Sequence, residues 1–261
     1  MTMQPAPAKP TVITFPPSLD SELSRFTLGH YRIPHTEVRH TVLFSFFFTF
    51  IHGMTLNFPL LYGSGYPTLD KARKIIDHFE ASAPADLKLL PAAGPDRDTV
   101  EADWTNFNIT LGGGTAVYAY FHLLPHRDIM IRPLTEGTPW YEVGSVRLAY
   151  PLFAGFLKLA LKLTPERAAE SIKNVRQVVD SVEKRLADGR RYLVGDRFTL
   201  SDMSFANSLS PLVLAPQYGG PLPTLEQMPP VLQKTIKEMQ ARPGGQFALR
   251  IYRDQRRPAP Q

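Results

Sequence analysis

The sequence predicts an α/β segment followed by an all-α segment, and three observations carry that reading. Up to about residue 82, short β-like apolar runs alternate with segments of helical apolar spacing, the pattern of strands packed with helices. Residues 83–98 are rich in Pro, Ala and Gly, with Pro84, Pro91 and Pro95, a composition suited to a linker. From residue 99 to 253 the periodic segments are all helical in spacing. The expected division is therefore 11–82, a linker at 83–98, and 99–253, with tails at 1–10 and 254–261.

The elements follow in order. Val12-Ile13-Thr14-Phe15 reads as a strand ended by Pro16-Pro17. Ser18 to Glu22 supplies helix-start residues, and Leu19, Leu23, Phe26 and Leu28 form an apolar stripe up to Tyr31. Ile33 to Val38 returns as a strand, completing a β-α-β unit. The apolar run Thr41–Ile51 is shorter than the roughly 20 residues a membrane span needs, and reads as a buried helix or packed loop. Phe58 to Tyr62 and Tyr66 to Leu69 form a hairpin around Gly63-Ser64-Gly65. A helix from Asp70 to Phe79 then presents Ala72, Ile75, Ile76 and Phe79 on one face.

In the second segment, 99–124 reads as one helix weakened at Gly112-Gly113-Gly114. That triplet lacks the GK[ST] of a phosphate loop. Helices are expected over 140–163 and over 165–188, the latter capped by Thr164 and opened by Pro165. A further helix starts near Leu200, with Thr199 as cap and the Asp202 carboxylate reaching back to it. Another covers 230–240 and ends at Ala241-Arg242-Pro243-Gly244. Arg250, Arg253, Arg256 and Arg257 read as a solvated face and tail.

Composition excludes several chemistries. Among 261 residues there is no cysteine, so the chain has no disulfide, no thiolate metal site and no cysteine nucleophile. Its 7 histidines show neither HxH nor HExxH spacing, so no metal is expected. The formal charge of +5 from 29 basic and 24 acidic residues is too diffuse to argue for nucleic acid. Residues 1–10 hold no apolar run and read as a frayed tail, not a secretory signal. A soluble, cytoplasmic protein without a membrane span is expected.

Tyr192-Leu193-Val194-Gly195-Asp196-Arg197-Phe198-Thr199-Leu200-Ser201-Asp202 is the most distinctive stretch. With Phe58-Pro59-Leu60-Leu61, Leu225 to Pro229 and Gln240 to Pro243, it resembles the glutathione transferase superfamily from about residue 11 to 253. The resemblance implies a thioredoxin-like amino-terminal domain followed by an all-helical carboxy-terminal domain. It implies a cis bond before Pro59, against the plain alternative of an edge-strand proline, and a Phe58 backbone paired with the peptide of glutathione. Ser18 stands where serine-type classes have their catalytic Ser and others a Cys, and Ser21 where thioredoxins have their second Cys. The resemblance gives Ser18 the task of stabilising a glutathione thiolate; residue chemistry alone makes both serines helix caps.

The resemblance aligns Asn57 with a Lys or Gln before the cis-proline and puts Lys71-Ala72 where the family has an acidic residue and Ser for the γ-glutamyl group. Lys71 would repel the ammonium of that group; Thr68 and Asp70 are the nearby substitutes. Phe44, Phe46, Phe47, Phe48 and Phe50 crowd where the family has a polar helix, leaving His40, His52 and Asn57 as polar residues. They read as core, dimer interface or pocket wall. Trp104, Phe107, Tyr118, Tyr120 and Phe121 fall where the family holds its electrophile. The implied protein is a cytoplasmic, homodimeric detoxifying enzyme that uses glutathione as co-substrate against small apolar electrophiles. The alternative is a non-catalytic binding or scaffold protein that has lost the glutathione site.

Overall fold

A computed structural model describes residues 9–258. Strand β1 (Thr11–Thr14) leads into helix α1 (Leu19–His30), strand β2 (Thr36–Arg39) and helix α2 (Val42–Gly53). Strands β3 (Leu60–Gly63) and β4 (Tyr66–Asp70) then precede helix α3 (Ala72–Ser82). The sheet order is β2-β1-β3-β4. β1 pairs parallel with β2, in register Val12 to Glu37, and antiparallel with β3, in register Val12 to Leu61. The parallel pair needs the α1 crossover, whereas β3 and β4 close through a glycine turn in which Gly65 has φ +84°. β2 starts three residues later than expected, because Arg32 takes φ +57° and the Ile33 amide bonds back to Leu28.

The helical segment runs through α4 (Pro95–Thr105), a π-helical stretch at Asn106–Gly112, and α5 (Gly113–Leu123). α6 (Arg127–Thr135), α7 (Trp140–Leu148), α8 (Tyr150–Ala160) and α9 (Pro165–Leu186) follow, then α10 (Leu200–Val213), α11 (Pro230–Ala241) and α12 (Pro243–Gln255). The small sheet with its helices and the helical segment after it reproduce the expected two-part architecture. α10 is the axis of the core, buried at every position except Pro211. Its start is fastened by Asp202, whose carboxylate accepts from the Thr199 amide (2.8 Å), the Thr199 hydroxyl (2.9 Å) and the Leu193 amide (2.7 Å). The capping motif is therefore structural, as its residues imply.

Three local expectations are corrected. The glycines at 112–114 mark the change from the π-helical stretch to α5, where the 99–124 helix is expected to weaken, and two of them also permit close packing. A Cβ on Gly112 would stand 3.0 Å from the Ser208 hydroxyl, and one on Gly114 would stand 3.1 Å from Val175 and 3.3 Å from the Ser171 carbonyl. The 140–163 helix is two, α7 and α8, bent by 84°. α6 was not expected. The carboxy-terminal arginines are not all a solvated tail, since α12 continues to Gln255 and Arg256 turns inward. Its Nε donates to Glu22 Oε1 at 2.8 Å, with side-chain exposures of 8% and 0%. The pattern RxxRxxRR hid this, because the partner lies more than two hundred positions away.

Residues 83–98 carry a short 3-10 turn (Ala85–Leu87) and the start of α4. They are pinned at both sides. The Glu80 carboxylate accepts from the amides of Leu89 (2.8 Å) and Leu90 (3.1 Å) and from the Tyr31 hydroxyl (2.6 Å). From the helical side, the Leu200 amide donates to the Leu89 carbonyl at 2.9 Å.

Candidate functional site

The chain leaves β1 through Phe15-Pro16-Pro17 and enters α1 at Ser18. The prolines end the ladder because they lack an amide donor, and the Ser18 amide closes the turn on the Phe15 carbonyl at 3.1 Å. Ser18 has extended dihedrals (φ −69°, ψ 131°) and its Oγ accepts from the Ser21 amide at 3.4 Å. It is thus the helix cap that its residue type predicts. Accepting that bond leaves the hydroxyl proton free and makes it a better donor. The aligned peptide dipoles of α1 add positive potential at the same point.

Ser21 does something else. It is fully buried and its Oγ accepts from the Phe15 amide at 3.1 Å, so it fixes the turn and does not line the cavity beside Ser18. That is the physical correction to its expected ligand contact: its hydroxyl faces backbone.

The Phe58–Pro59 bond is cis, and the Pro59 carbonyl accepts from the Lys71 amide at 2.9 Å. Neither the amide nor the carbonyl of Phe58 is bonded to backbone of the described residues. Asn57 and Asp70, expected at the ligand, meet each other instead. Asn57 Nδ2 donates to Asp70 Oδ2 at 2.7 Å, the Thr55 hydroxyl donates to the same oxygen at 3.0 Å, and Lys74 donates to the other oxygen. Lys74 above all, with help from Asn57 and Thr55, lowers the Asp70 carboxyl to about 2. With its oxygens occupied, this carboxylate has little capacity left for a ligand ammonium. Lys71 caps α3 at φ +73° without a side-chain cap bond and is exposed, so the start of α3 offers positive charge.

A cavity of about 390 Å³ opens beside Ser18 between the sheet and the helical segment. Phe15, Phe46 and Phe58 form its sheet-side wall, with ring centroids 5.7 Å (Phe15–Phe58) and 5.5 Å (Phe46–Phe58) apart. Leu123, Met130, Phe156 and Leu157 close the helical side. Ser18, Asp20, Asn108 and Tyr120 are the polar side chains that reach it. Asn108 spends its amide on the Trp104 carbonyl (2.7 Å), so its Oδ1 is what remains for a ligand. Burial pushes the Tyr120 phenol up, keeping it a neutral donor.

Of the residues singled out in the sequence, Ser18, Phe58, Phe46 and Tyr120 line this cavity. Phe107 and Tyr118 are core, and Trp104 lies under the Arg73 guanidinium at 5.3 Å. Asn108 and Asp20 were missed; Asn108 sits in the π-helical stretch, which has no sequence signature. His40 is a positioning residue: its ring stacks on Phe48 at 4.0 Å and its Nδ1 lies 2.6 Å from Glu142 Oε1. Because Glu142 Oε2 also accepts from the Thr41 amide at 2.7 Å, one buried carboxylate ties the start of α2 to α7. His52 stacks on Tyr62 at 4.4 Å. Among the described residues no cluster of three metal-ligating side chains occurs.

Residues 165–233 match the sequence model of the family described as "Glutathione S-transferase, C-terminal domain". Among curated proteins none matches the chain in sequence. In fold the chain is similar to a glutathione S-transferase from Sinorhizobium meliloti, at TM-score 0.58 and 16% identity, covering 96% of each chain. It is similar to a glutathione S-transferase from Methylobacterium radiotolerans in complex with glutathione sulfonate, at TM-score 0.53 and 18% identity, covering 97% of each chain. The β-etherase LigF from Sphingobium sp. gives TM-score 0.56 at 16% identity, over 93% of this chain and 99% of that one.

Proposed function

We propose that this chain, whose fold is similar to that of glutathione S-transferases and whose residues 165–233 match their carboxy-terminal domain, binds glutathione and conjugates it through its thiolate to small apolar electrophiles. The observation that carries the reading is the Ser18 hydroxyl, free to donate at the positive end of α1 on the wall of an apolar cavity. The unpaired Phe58 backbone beside the cis-proline is the complementary surface for the peptide of glutathione. In the proposed step the thiol proton passes to solvent and the thiolate, held by the Ser18 hydroxyl, attacks an electrophilic carbon. The C–S bond forms as the bond to the leaving group breaks, and that group departs with the electron pair. The fold analogy extends the reading to a cytoplasmic homodimer acting in detoxification, which resemblance alone supports.

The test is turnover of chlorodinitrobenzene with glutathione. Ser18→Ala is expected to lower kcat by about a hundred- to a thousandfold, the range for losing one donor to a developing anion. An equal kcat in both proteins removes Ser18 from the chemistry. A second reading, a binding protein without transferase activity, is favoured by Lys71, Ala72 and the occupied Asp70 carboxylate. Titration calorimetry separates the two: no heat with millimolar glutathione defeats the transferase, and saturable binding defeats the loss of the site.

A further inference from the structure

The outer faces of α2, α7 and α8 are unusually apolar. On α2, Leu43, Phe47, Phe50 and Ile51 form a single stripe at helical spacing, each about half exposed, and Met54 just past its end is also exposed. Across the bend between α7 and α8, Leu148 (89% exposed), Leu152 (78%) and Leu159 (79%) stand exposed, as do Trp140 (84%) and Tyr141 at the start of α7. The Phe44–Tyr141 ring contact at 5.7 Å and the Glu142 bonds to His40 and Thr41 hold α2 against α7. Exposed apolar surface on this scale marks an interaction site.

The charges around it narrow the partner. No Asp, Glu, Lys or Arg occurs between Arg39 and Asp70. Between Glu142 and Glu166 the charged residues are Arg147, Lys158 and Lys162, all exposed cations, while Glu142 itself is buried. A second copy docked here would bring no exposed acidic residue of these segments to meet Arg147, Lys158 and Lys162. An anionic bilayer answers both features at once: its headgroups accept Arg147, Lys158 and Lys162, and its interface takes leucines flanked by Trp and Tyr. Among the described residues no single helix is long and apolar enough to cross a membrane; α7 and α8 reach that length and apolarity only as a pair bent by 84°.

We propose that the corner formed by α7 and α8, adjoined by the stripe of α2, docks this protein on the surface of anionic phospholipid bilayers. α8 also supplies Phe156, Leu157, Ala160 and, at its end, Leu161 to the cavity, so the docking corner and the cavity share this helix. The proposal is independent of glutathione chemistry.

Co-sedimentation with vesicles tests it. The full chain is expected to partition into phosphatidylglycerol–phosphatidylcholine vesicles at least about tenfold more strongly than into phosphatidylcholine vesicles, and to release at high salt. The triple change Leu148→Gln, Leu152→Gln, Leu159→Gln alters only exposed side chains and is expected to lower that partitioning at least about tenfold, with an unchanged melting temperature. Lys158→Glu with Lys162→Glu is expected to abolish the anionic preference. Failure of the wild type to bind, or undiminished binding by the leucine variant, overturns the proposal. Light scattering that reveals a dimer dissociated by the leucine variant, without vesicle binding, assigns the face to a second copy and equally overturns it.

Discussion

Removing Arg256 tests whether the end of the chain is part of the folded core. Its Nε donates to Glu22 Oε1 at 2.8 Å, its guanidinium lies 5.8 Å from the Phe26 ring centre, and Glu22 is fully buried. Glu22 Oε2 also accepts from the Gly219 amide at 2.9 Å and stands 3.5 Å from Arg25. Arg256→Ala leaves that carboxylate buried with one cation fewer, and breaking a buried pair from one side costs about 3–5 kcal/mol. Arg25 remains as partial compensation, which sets the expectation near the lower figure. For a chain of this size, a loss of about 3 kcal/mol lowers Tm by roughly 6–12 °C. The assay is thermal or urea unfolding of Arg256→Ala beside Arg253→Ala, whose side chain is 67% exposed and, among the described residues, pairs with its neighbour Asp254. The control is expected within about 0.5 kcal/mol of wild type. Adding Glu22→Gln to Arg256→Ala should recover part of the loss, since the stranded charge is gone. Equal stabilities for the two arginine variants would refute the reasoning and return the terminus to solvent.

The glycine triplet offers a paired test. Gly114→Ala sets a methyl 3.1 Å from Val175 and 3.3 Å from the Ser171 carbonyl and should destabilise by about 1–3 kcal/mol. Gly113→Ala meets nothing within 4 Å and should stabilise by about 0.5–1 kcal/mol through helix propensity; urea midpoints decide both. Asp70, lowered to about 2 by Lys74, Asn57 and Thr55, carries a pH signature. Its folded value lies below its unfolded one, so its contribution is present above pH 4 and lost as pH falls toward 2. Asp70→Asn should flatten that part of the stability–pH curve. Lys71→Glu with Ala72→Ser should tighten glutathione binding by about tenfold or more in calorimetry, because one ion pair and one hydroxyl bond replace a repulsion.

What was legible in the sequence was local. The α1 cap at Ser18, the Thr199–Asp202 box, the Thr164-Pro165 start and the hairpin at Gly63-Ser64-Gly65 each depend on residues within a few positions, where dihedral preference and side-chain reach decide the outcome. The cis bond at Phe58–Pro59 came from resemblance, since propensity alone favours trans. Partners distant in sequence were illegible. Arg256 finds Glu22, His40 finds Glu142, and Gly114 finds Ser171 and Val175, and no local pattern encodes such pairings. The same limit hid what Gly112 and Gly114 pack against: a glycine that spares a clash looks, in sequence, like one that only loosens a helix.

The phenylalanine run shows why the site divided as it did. Within α2, positions 46 and 47 are adjacent in sequence but about 100° apart around the axis. Phe46 therefore meets Phe58 and Phe156 at the cavity, while Phe47 points to solvent. A run that is apolar all round carries no periodicity to say which face is inside, so core, pocket and interface were equally compatible with it. The structure distributes the run among all three environments: Ser45 and Thr49 buried against the body, Phe46 at the cavity, and Phe47 and Phe50 outward. The small polar residues, not the aromatic ones, mark the inner face. Phenylalanine outside and serine inside inverts the ordinary amphipathic order.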